Sequence, residues 1–295
     1  MQRIRSYLFR AAANTRIQPS SPLLLGTSFT SSKIEAASLC MSAERVTSTE
    51  LFRSDPPDVK NLALILLNYH LPKCILPLWH RASLQVCADG GANRLFDMIP
   101  GDVSAENYLP NAIRGDLDSI RPDVREFYSS QGVPIYDLSH DQDSTDLEKC
   151  LKFVEEHLRE GGKEPEATIL IAGALGGRLD QTLASIHALH KYPHLPMVLM
   201  GEGNLTRLIH PGKTRIKVDR AVEGPQCGLI PMDGPVIASS SGLKWNLDKT
   251  RLDFQGLIST SNLLAADEVL VDSDGYLIWT TELHGDATMA RLLPK

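Results

Sequence analysis

The sequence predicts an α/β fold, in which a mainly parallel sheet domain is followed by an antiparallel β-sandwich domain. Three observations predict it. Patterns of buried strands alternate with helix patterns from about residue 60 to residue 201, which is typical of right-handed β-α-β units. The helix patterns then stop, and eight short runs rich in β-branched and aromatic residues follow, as in sandwiches and barrels. The composition, 42% hydrophobic and 22% charged in 295 residues, suits a folded chain of two domains.

Each strand of the first domain is a short apolar run that precedes a helix pattern. The strand patterns are, in chain order, NLALILLN, LQVCADGG, NAIRGDLDS, VPIYDL, ATILIAG and MVLMG. The helix patterns are LPLWHRA, ANRLFDMI, RPDVREFYSSQG, residues 145–159 and RLDQTLASIHALHKY. Pro122 fits the first turn of the third helix and Gly132 its end. In residues 145–159 the apolar side chains fall on one helical face.

The second domain is predicted from eight closely spaced strand patterns that Gly, Pro, Asp and Asn divide. They are LTRLIH, TRIKVD, CGLIPM, PVIASS, LKWNLD, GLISTS, EVLVDS and YLIWTTEL. Such spacing indicates an antiparallel sandwich or barrel. We therefore assign residues 1–55 to an extension outside the fold, residues 56–201 to the α/β domain and residues 202–295 to the β-sandwich domain.

The first residues of the chain have a composition of their own. They carry several arginines and serines, and no acidic residue precedes Glu35. This is the composition of an organellar transit peptide. The alternative is a disordered extension that initiation at Met41 would skip. We expect a cytosolic protein, with a mitochondrial or plastid location if residues 1–40 act as a transit peptide.

Charge and cysteine content exclude several classes of function. The formal net charge of −6 gives no electrostatic case for binding nucleic acid or a membrane surface. Apolar runs such as LALILL are too short to span a bilayer. The five cysteines form no C-x-x-C pair, which argues against a disulfide framework or a zinc site and suits a reducing compartment.

Polar clusters follow four of the predicted parallel strands. Asp89 follows LQVCA, Asp116 and Asp118 follow NAIRG, HDQDSTD follows VPIYDLS, and GALGGRLD follows ATILIA. Ligands of open α/β sheets bind at this carboxyl edge. The candidate acidic residues are Asp89, Asp116, Asp118, Asp141, Asp143 and Asp146. So many carboxylates raise one another's pKa unless a cation neutralises them, and oxygen-only ligands favour Mg²⁺ carrying substrate phosphates. Taken alone, one such turn reads more readily as a solvated acidic loop, and it is the four clusters at one edge that indicate a site.

A phosphate site is also indicated, although the common phosphate-binding motifs are absent. The first domain contains no P-loop and no G-x-G-x-x-G at a helix start. It does contain GALGGR, whose glycines let backbone N–H groups approach an anion, followed by Arg178. The alternative for those glycines is a tight turn between strand and helix.

Six motifs together resemble the thiamine pyrophosphokinase family in its eukaryotic form. They are CADGGANRLFD, RGDLDS, DQDSTDLEKC, GALGGRLDQ, SSSGLKWNL and GLISTSN, in the same order from about residue 60 to residue 283. The resemblance implies a homodimer with active sites at the dimer interface, an ATP-binding α/β domain and a thiamine-binding β-sandwich domain. It implies that Mg²⁺-dependent transfer of a pyrophosphoryl group from ATP to the thiamine hydroxyl gives thiamine diphosphate and AMP.

The resemblance also implies residue roles. It assigns Mg²⁺ to Asp116, Asp118 and Asp146 and places Asp89 in the same catalytic site. It gives ligand contacts to Gln142 and Thr145, and nucleotide contacts to Gly176, Gly177, Arg178 and Asp180. Ser241 and Trp245 would contact thiamine from the other subunit. Asp89 and Asp146 are the candidates for accepting the hydroxyl proton. One departure is Gln181, where many bacterial members carry histidine, so that a role for imidazole does not transfer. Without the resemblance, Trp245 reads as a core residue.

Two other classes of function remain open at this stage. One is a Mg²⁺-dependent phosphatase or nucleotide-sugar transferase that uses DLD as a D-x-D motif. Aspartyl-phosphate phosphatases normally carry D-x-D-x-T directly after their first strong strand. Here Ser119 follows Asp118, and the motif follows a later strand. The other is a protein that binds nucleotide or thiamine without catalysis.

Overall fold

The computed structural model describes residues 45–48, 50–52, 62–101, 103–160 and 167–285. These residues form fifteen strands, five α-helices and two short 3₁₀ helices at Glu50–Phe52 and Ala105–Tyr108. The strands are β1 (Arg45–Ser48), β2 (Leu62–Leu66), β3 (Leu84–Ala88), β4 (Ala112–Gly115), β5 (Ile135–Asp137), β6 (Thr168–Ala172), β7 (Met197–Gly201), β8 (Asn204–Ile209), β9 (Gly212–Lys217), β10 (Glu223–Ile230), β11 (Val236–Ser241), β12 (Thr250–Leu252), β13 (Ser259–Leu263), β14 (Glu268–Ser273) and β15 (Leu277–Leu283). The helices are α1 (Ile75–Trp79), α2 (Gly91–Met98), α3 (Pro122–Ser130), α4 (Asp146–Glu160) and α5 (Leu179–Lys191). None of these helices is long and apolar enough to cross a membrane.

One sheet of ten strands runs through the described molecule, in the order β13-β10-β15-β8-β7-β6-β2-β3-β4-β5. The six strands from β7 to β5 pair in parallel, and the four from β13 to β8 pair in antiparallel fashion. The parallel part confirms the predicted β-α-β organisation, and each of its strands and helices lies where its sequence pattern predicts it.

The parallel strands are buried because helices cover both faces of the sheet. Leu64 of β2 packs in one apolar cluster with residues of α1, α2 and α3, while Ile65 packs in a second cluster with residues of α4 and α5. Successive side chains of a strand point to opposite faces. All five residues of β2 are therefore buried, as the continuous apolar run LALIL predicts.

A second sheet of five strands, in the order β1-β9-β14-β11-β12, completes an antiparallel-rich β-sandwich. Ile216 and Val269 of this sheet pack in a third apolar cluster with Leu229 and Trp279 of the ten-stranded sheet. The fold class is confirmed, with a feature that the sequence did not reveal. One layer of the sandwich is a continuation of the α/β sheet, since β7 pairs with β8 directly after the turn at residues 202–203. The domain limits themselves stay a prediction.

A short strand and a 3₁₀ turn lie inside the segment that the sequence analysis assigns to the extension, residues 1–55. β1 pairs in parallel with β9, and Leu51 and Phe52 are buried at 4% and 0% exposure, so both pieces belong to the fold. The pattern RVTS is short, and its partner strand lies far along the chain, which is why local periodicity missed it. The rest of the predicted extension lies outside the described residues.

The segment LKWNLD is not the strand that was predicted. It has one isolated bridge, between Leu243 and Leu264, and side chains take two of its N–H groups. Leu243 N–H donates to Asn246 Oδ1 (3.0 Å) and Leu247 N–H donates to Ser240 Oγ (2.9 Å). Short polar side chains compete in this way with the hydrogen bonds of a sheet ladder. A three-residue strand that was not predicted, β12, follows the segment.

Candidate active site

The polar clusters meet in one cleft at the carboxyl edge of the parallel strands. The cleft has a volume of about 620 Å³. Its lining includes Asp89 after β3, Asp116 and Asp118 after β4, Thr145 and Asp146 at the start of α4, and Gly176, Gly177 and Arg178 after β6. The structure thus brings together eight of the residues that the sequence analysis proposed. Their functional roles stay predictions.

The turn after β4 presents its two carboxylates on the same side. Leu117 between them has φ +61°, in the left-handed region that non-glycine residues rarely adopt. The Asp118 N–H donates to Asp116 Oδ1 (3.4 Å), and the Ser119 hydroxyl donates to Asp118 Oδ1 (2.7 Å). Carboxylate oxygens of Asp89, Asp116 and Asp118 all lie within 4.8 Å of one another.

The Asp89 carboxylate binds the backbone of this turn. The Asp89 side chain is buried, and its backbone has φ +43°. Oδ2 accepts the Ser119 N–H (2.9 Å) and Oδ1 accepts the Ile120 N–H (3.0 Å). Burial raises the pKa of Asp89 above its ordinary value, and the two N–H bonds oppose that rise. Both oxygens are therefore engaged in holding the Asp116–Asp118 turn.

Asp146 is the first residue of α4 and faces the same turn. Its Oδ1 lies 3.2 Å from Nζ of Lys149, which is itself buried. Burial raises the pKa of Asp146; the Lys149 bond opposes this and the charge of Asp116 adds to it. Gly115 separates Asp146 from Asp89, and a Cβ there would lie 3.1 Å from Asp146 Oδ1 and 2.7 Å from Asp89 Cβ. Glycine at this position lets the Asp89 and Asp146 side chains approach.

The glycine-rich loop packs against an aromatic ring. Gly177 has φ +65°, and a Cβ on it would lie 2.5 Å from the ring of Tyr69, so a side chain fits neither the conformation nor the space. Arg178 follows and is exposed. Its guanidinium binds the Asp180 carboxylate through Nε (3.1 Å) and Nη2 (2.6 Å), which lowers the pKa of Asp180.

The acidic cluster fits a hard divalent cation. Asp89, Asp116 and Asp118 offer only oxygen donors, and within the described part of the chain this is the group whose spacing suits a metal ion. Oxygen ligands in this arrangement are typical of Mg²⁺ sites, which retain water or take phosphate oxygens in the remaining positions. This donor set includes Asp89, whereas the resemblance assigns the metal to Asp116, Asp118 and Asp146.

Several proposed residues do not line the cleft of this chain. They are Asp141, Gln142, Asp143, Asp180, Ser241 and Trp245. Gln142 donates to the Ser139 carbonyl (2.6 Å). The Ser144 hydroxyl, followed by the charge of Lys152, lowers the pKa of Asp141 to about 2. Ser241 is exposed on β11.

Trp245 is not a core residue. Its side chain is 55% exposed, and Lys244 Nζ lies 4.5 Å from the centre of its ring. The interpretation of Trp245 as core, on its alternation with Leu243 and Leu247, is therefore wrong. Leu243, two residues earlier, is buried.

The sequence analysis missed cleft residues that the same reasoning reaches. Asn68 and Tyr69 follow β2 and line the cleft, so the rule that polar groups past a parallel strand form the site applies to them too. Thr145 and Glu148 form a capping box, since the Thr145 N–H donates to Glu148 Oε2 (3.0 Å) and the Glu148 N–H to Thr145 Oγ1 (3.3 Å). The T-x-x-E spacing signals this box in the sequence.

Comparisons with known proteins agree with this geometry. Residues 75–199 match the family model for the catalytic domain of thiamin pyrophosphokinase, and residues 213–278 match the model for its vitamin B1 binding domain. Thiamine pyrophosphokinase 1 of Oryza sativa subsp. japonica is 44% identical over 75% of this chain and 87% of its own length. Thiamine pyrophosphokinase 2 of Arabidopsis thaliana is 41% identical over 75% of this chain and 86% of its own.

Solved structures show the same fold. The yeast thiamin pyrophosphokinase structure superposes with a TM-score of 0.72 at 24% identity, covering 90% of this chain and 96% of that one. The thiamin pyrophosphokinase from Candida albicans superposes with a TM-score of 0.68 at 24% identity, covering 82% and 93%.

Proposed function

This chain belongs to the thiamin pyrophosphokinase family, and from that membership we propose a role for each polar group in the cleft. The chain transfers a pyrophosphate group from ATP to the hydroxyl of thiamine, giving thiamine diphosphate and AMP. Such a transfer needs alignment and charge neutralisation more than covalent work by the protein. We propose that the acidic cleft aligns the two substrates and holds the cation that neutralises their charge.

The close group of carboxylates carries the proposal of a metal site. Asp116 and Asp118 hold Mg²⁺, together with Asp146, which faces the same turn from α4. Oxygens of Asp89, Asp116 and Asp118 lie within 4.8 Å of one another, and these carboxylates would repel one another without a cation between them. When bound, Mg²⁺ neutralises charge on the polyphosphate oxygens. Asp89 acts as a positioning residue, because both of its oxygens already accept backbone N–H groups of the turn.

The opposite side of the cleft binds the nucleotide phosphates. Gly176 and Gly177 bring the backbone close to the ligand, and Thr145 lines the same cleft. Arg178 is exposed and held by Asp180, so it can exchange that carboxylate for a phosphate oxygen. Gln142 is assigned a ligand contact on the resemblance alone.

Thiamine is proposed to reach the cleft of one subunit from the sandwich of another. Ser241 and Trp245 are exposed and lie outside the cleft of their own chain, as a site shared across a two-fold dimer requires. Phe254 and Leu257, 63% and 55% exposed, lie in the same part of the chain and suit burial against a second copy. The indole of Trp245 would stack on the cationic thiazolium ring.

The activity and its metal requirement are tested together. Purified chain with ATP, Mg²⁺ and thiamine is expected to form AMP and thiamine diphosphate, to stop with EDTA, and to resume with Mg²⁺ or Mn²⁺. Asp116→Asn and Asp118→Asn are each expected to lower turnover by about 10²–10³-fold through lost charge neutralisation. Asp233→Asn, an exposed acid outside the cleft, is the matched control. Near-normal turnover in both cleft variants contradicts the metal assignment.

The same assay separates the alternative functions. A phosphatase would release inorganic phosphate, a nucleotide-sugar transferase would need a sugar substrate, and a silent binding protein would give no product. The family membership favours the transfer to thiamine.

We place the protein in the cytosol. The segment that bears on this, residues 1–40, lies outside the described residues. Fused to a fluorescent protein, it is expected to leave the signal diffuse in the cytosol. Accumulation of the fusion in mitochondria or plastids contradicts the assignment and supports a transit peptide.

A further inference from the structure

A second cavity lies at the opposite edge of the ten-stranded sheet. It has a volume of about 510 Å³ and is lined by the amino ends of β6 and β7, the carboxyl end of β8, and residues of β1 and β9. Thr168 begins β6 at this cavity, whereas Gly173 follows β6 at the catalytic cleft. At 3.3 Å per residue the two sites are roughly 17 Å apart along the strand. The cavity is therefore distinct from the active site.

Arg207 of β8 lines this cavity with hydrogen-bond donors to spare. Its side chain is 4% exposed, and its Nη2 pairs with Glu223 Oε2 at 3.3 Å. Nε and Nη1 have no hydrogen-bond partner among the residues that the structure describes. A buried donor without a partner costs on the order of 1–3 kcal/mol. Donors left open in the wall of a cavity are those that an acceptor ligand can satisfy.

Two residues of the facing sheet line the same cavity. In the register of β1 with β9, Arg45 is paired with Thr214, so both side chains lie on one face of the sheet. Thr214 is buried, and its Oγ1 is also without a hydrogen-bond partner within the described ranges. Arg45 and His210 both line the cavity. Burial, and then the charge of Arg45, lower the pKa of His210 to about 4, so His210 is neutral at pH 7.

The cavity is lined by positive charge, whereas the whole chain is negatively charged. The chain has a net charge of −6, yet the described residues that line the cavity include two arginines and no Asp or Glu. The Glu223 carboxylate neutralises one guanidinium, and the charge of Arg45 remains. A cavity with excess positive charge concentrates anions.

We propose that this cavity binds a phosphate group, through the open donors of Arg207, the guanidinium of Arg45 and the hydroxyl of Thr214. A phosphate offers oxygens in several directions and so can meet donors from two facing sheets, whereas the two oxygens of a carboxylate lie in one plane. The volume exceeds that of a bare ion and falls in the range of small-molecule sites. Pro193 and Leu195 supply apolar walls for the rest of a phosphate monoester.

Calorimetric titration of the full chain tests the proposal. The probes are inorganic phosphate and glycerol 3-phosphate, added after one equivalent of α,β-methylene ATP with Mg²⁺ has filled the catalytic cleft. The variants are Thr214→Val and Arg45→Gln. The control is Lys213→Gln, which removes a positive charge from an exposed neighbour of Thr214 that does not line the cavity.

Wild type and Lys213→Gln are expected to bind the phosphate probes. The two cavity variants are expected to bind them at least about tenfold more weakly, because each loses one charge-assisted hydrogen bond. Thr214→Val keeps the shape and removes a buried unpaired hydroxyl, so its melting temperature should not fall. Tighter binding of glycerol 3-phosphate identifies a phosphate monoester as the occupant; equal binding of both probes identifies the free ion. Failure of wild type to bind either probe, or equal affinity in all four proteins, overturns the proposal.

Discussion

At the scale of single residues, the four aspartates of the cleft differ in what their oxygens contact. Asp116 is half-buried and Asp118 is exposed. Asp89 is 3% exposed, and both of its oxygens accept backbone N–H groups of the turn that carries Asp116 and Asp118. A buried acceptor with two N–H donors stabilises the fold. Asp89 therefore supports the turn from within, and we propose the ligand-binding role for the other acids.

Asp89→Asn tests this difference. The amide retains one acceptor oxygen and places an NH₂ group against a backbone N–H, so we expect the free energy of unfolding to fall by about 1–3 kcal/mol, with loss of activity. Asp116→Asn should lose activity and keep its stability, because it removes one charge from a repelling cluster. Denaturant unfolding of both variants is the measurement. Equal stability of Asp89→Asn and wild type would show that these bonds are dispensable.

At the scale of elements, the amino end of α4 joins helix capping to the active site. Thr145 and Glu148 form the capping box, and Lys191 at the end of α5 binds Glu148 at 2.5 Å. Glu148 is buried, which raises its pKa, but the Lys191 and Thr145 bonds outweigh burial and the net pKa is lowered. The first turn that carries Thr145 and Asp146 is thereby fixed to a second helix.

Glu148→Gln should destabilise the protein in a pH-dependent way. Because the folded pKa is depressed, ionised Glu148 contributes stability above its unfolded pKa of about 4.3, and this is lost as the pH falls through the lower folded value. We expect a deficit of about 1–2 kcal/mol at pH 7 that shrinks below pH ~4. The exposed Glu156→Gln on the same helix is the control. A deficit independent of pH would point to shape, not charge.

At the scale of the whole molecule, one sheet extends from the α/β half into the sandwich. The strand β1, which precedes β2 in the chain, is the edge strand of the second sheet. β1 pairs with β9, and Leu51 and Phe52 are buried in the core beside α1. Contacts between segments so far apart in sequence make the two halves interdependent. The β-sandwich is therefore expected to unfold together with the parallel sheet.

Truncation measures the contribution of β1. A chain that starts at Met41 retains β1, Leu51 and Phe52, and should fold and catalyse as the full chain does. A chain that starts at Pro56 loses them, and burying each apolar side chain is worth about 1.5–3 kcal/mol. We expect its free energy of unfolding to be lower by at least about 3 kcal/mol. Identical melting of the two truncated chains would contradict a structural role for β1.

Mixing two inactive proteins tests whether sites are shared between subunits. If the chain forms the proposed dimer, the Asp116→Asn and Trp245→Ala variants should each have weak activity on their own. After joint unfolding and refolding in equal amounts, about half of the dimers are mixed by random pairing, and each carries one intact site. The mixture should recover about a quarter of wild-type activity. If mixed dimers form and activity stays at the level of the parents, each site is built within one chain.

The sequence by itself determined the parts that depend on local pattern. Continuous apolar runs such as LALIL gave buried parallel strands, and the rule that ligands bind at their carboxyl ends brought Asp89, Asp116, Asp118 and Asp146 to one edge of the sheet. The motifs RGDLDS and GALGGR then indicated phosphate chemistry. These inferences hold because strand direction and helix periodicity are encoded by residues close together in the chain.

The tertiary structure alone decided the features that depend on distant partners. β1 is recognisable only through its pairing with β9. LKWNLD is excluded as a strand only by the side-chain oxygens of Ser240 and Asn246, which accept N–H groups of that segment. The bracing role of Asp89 required the Ser119 and Ile120 N–H groups, thirty residues away. Periodicity reports which side chains share a face, but the partner of a backbone or buried polar group is set by packing between elements, which no local pattern records.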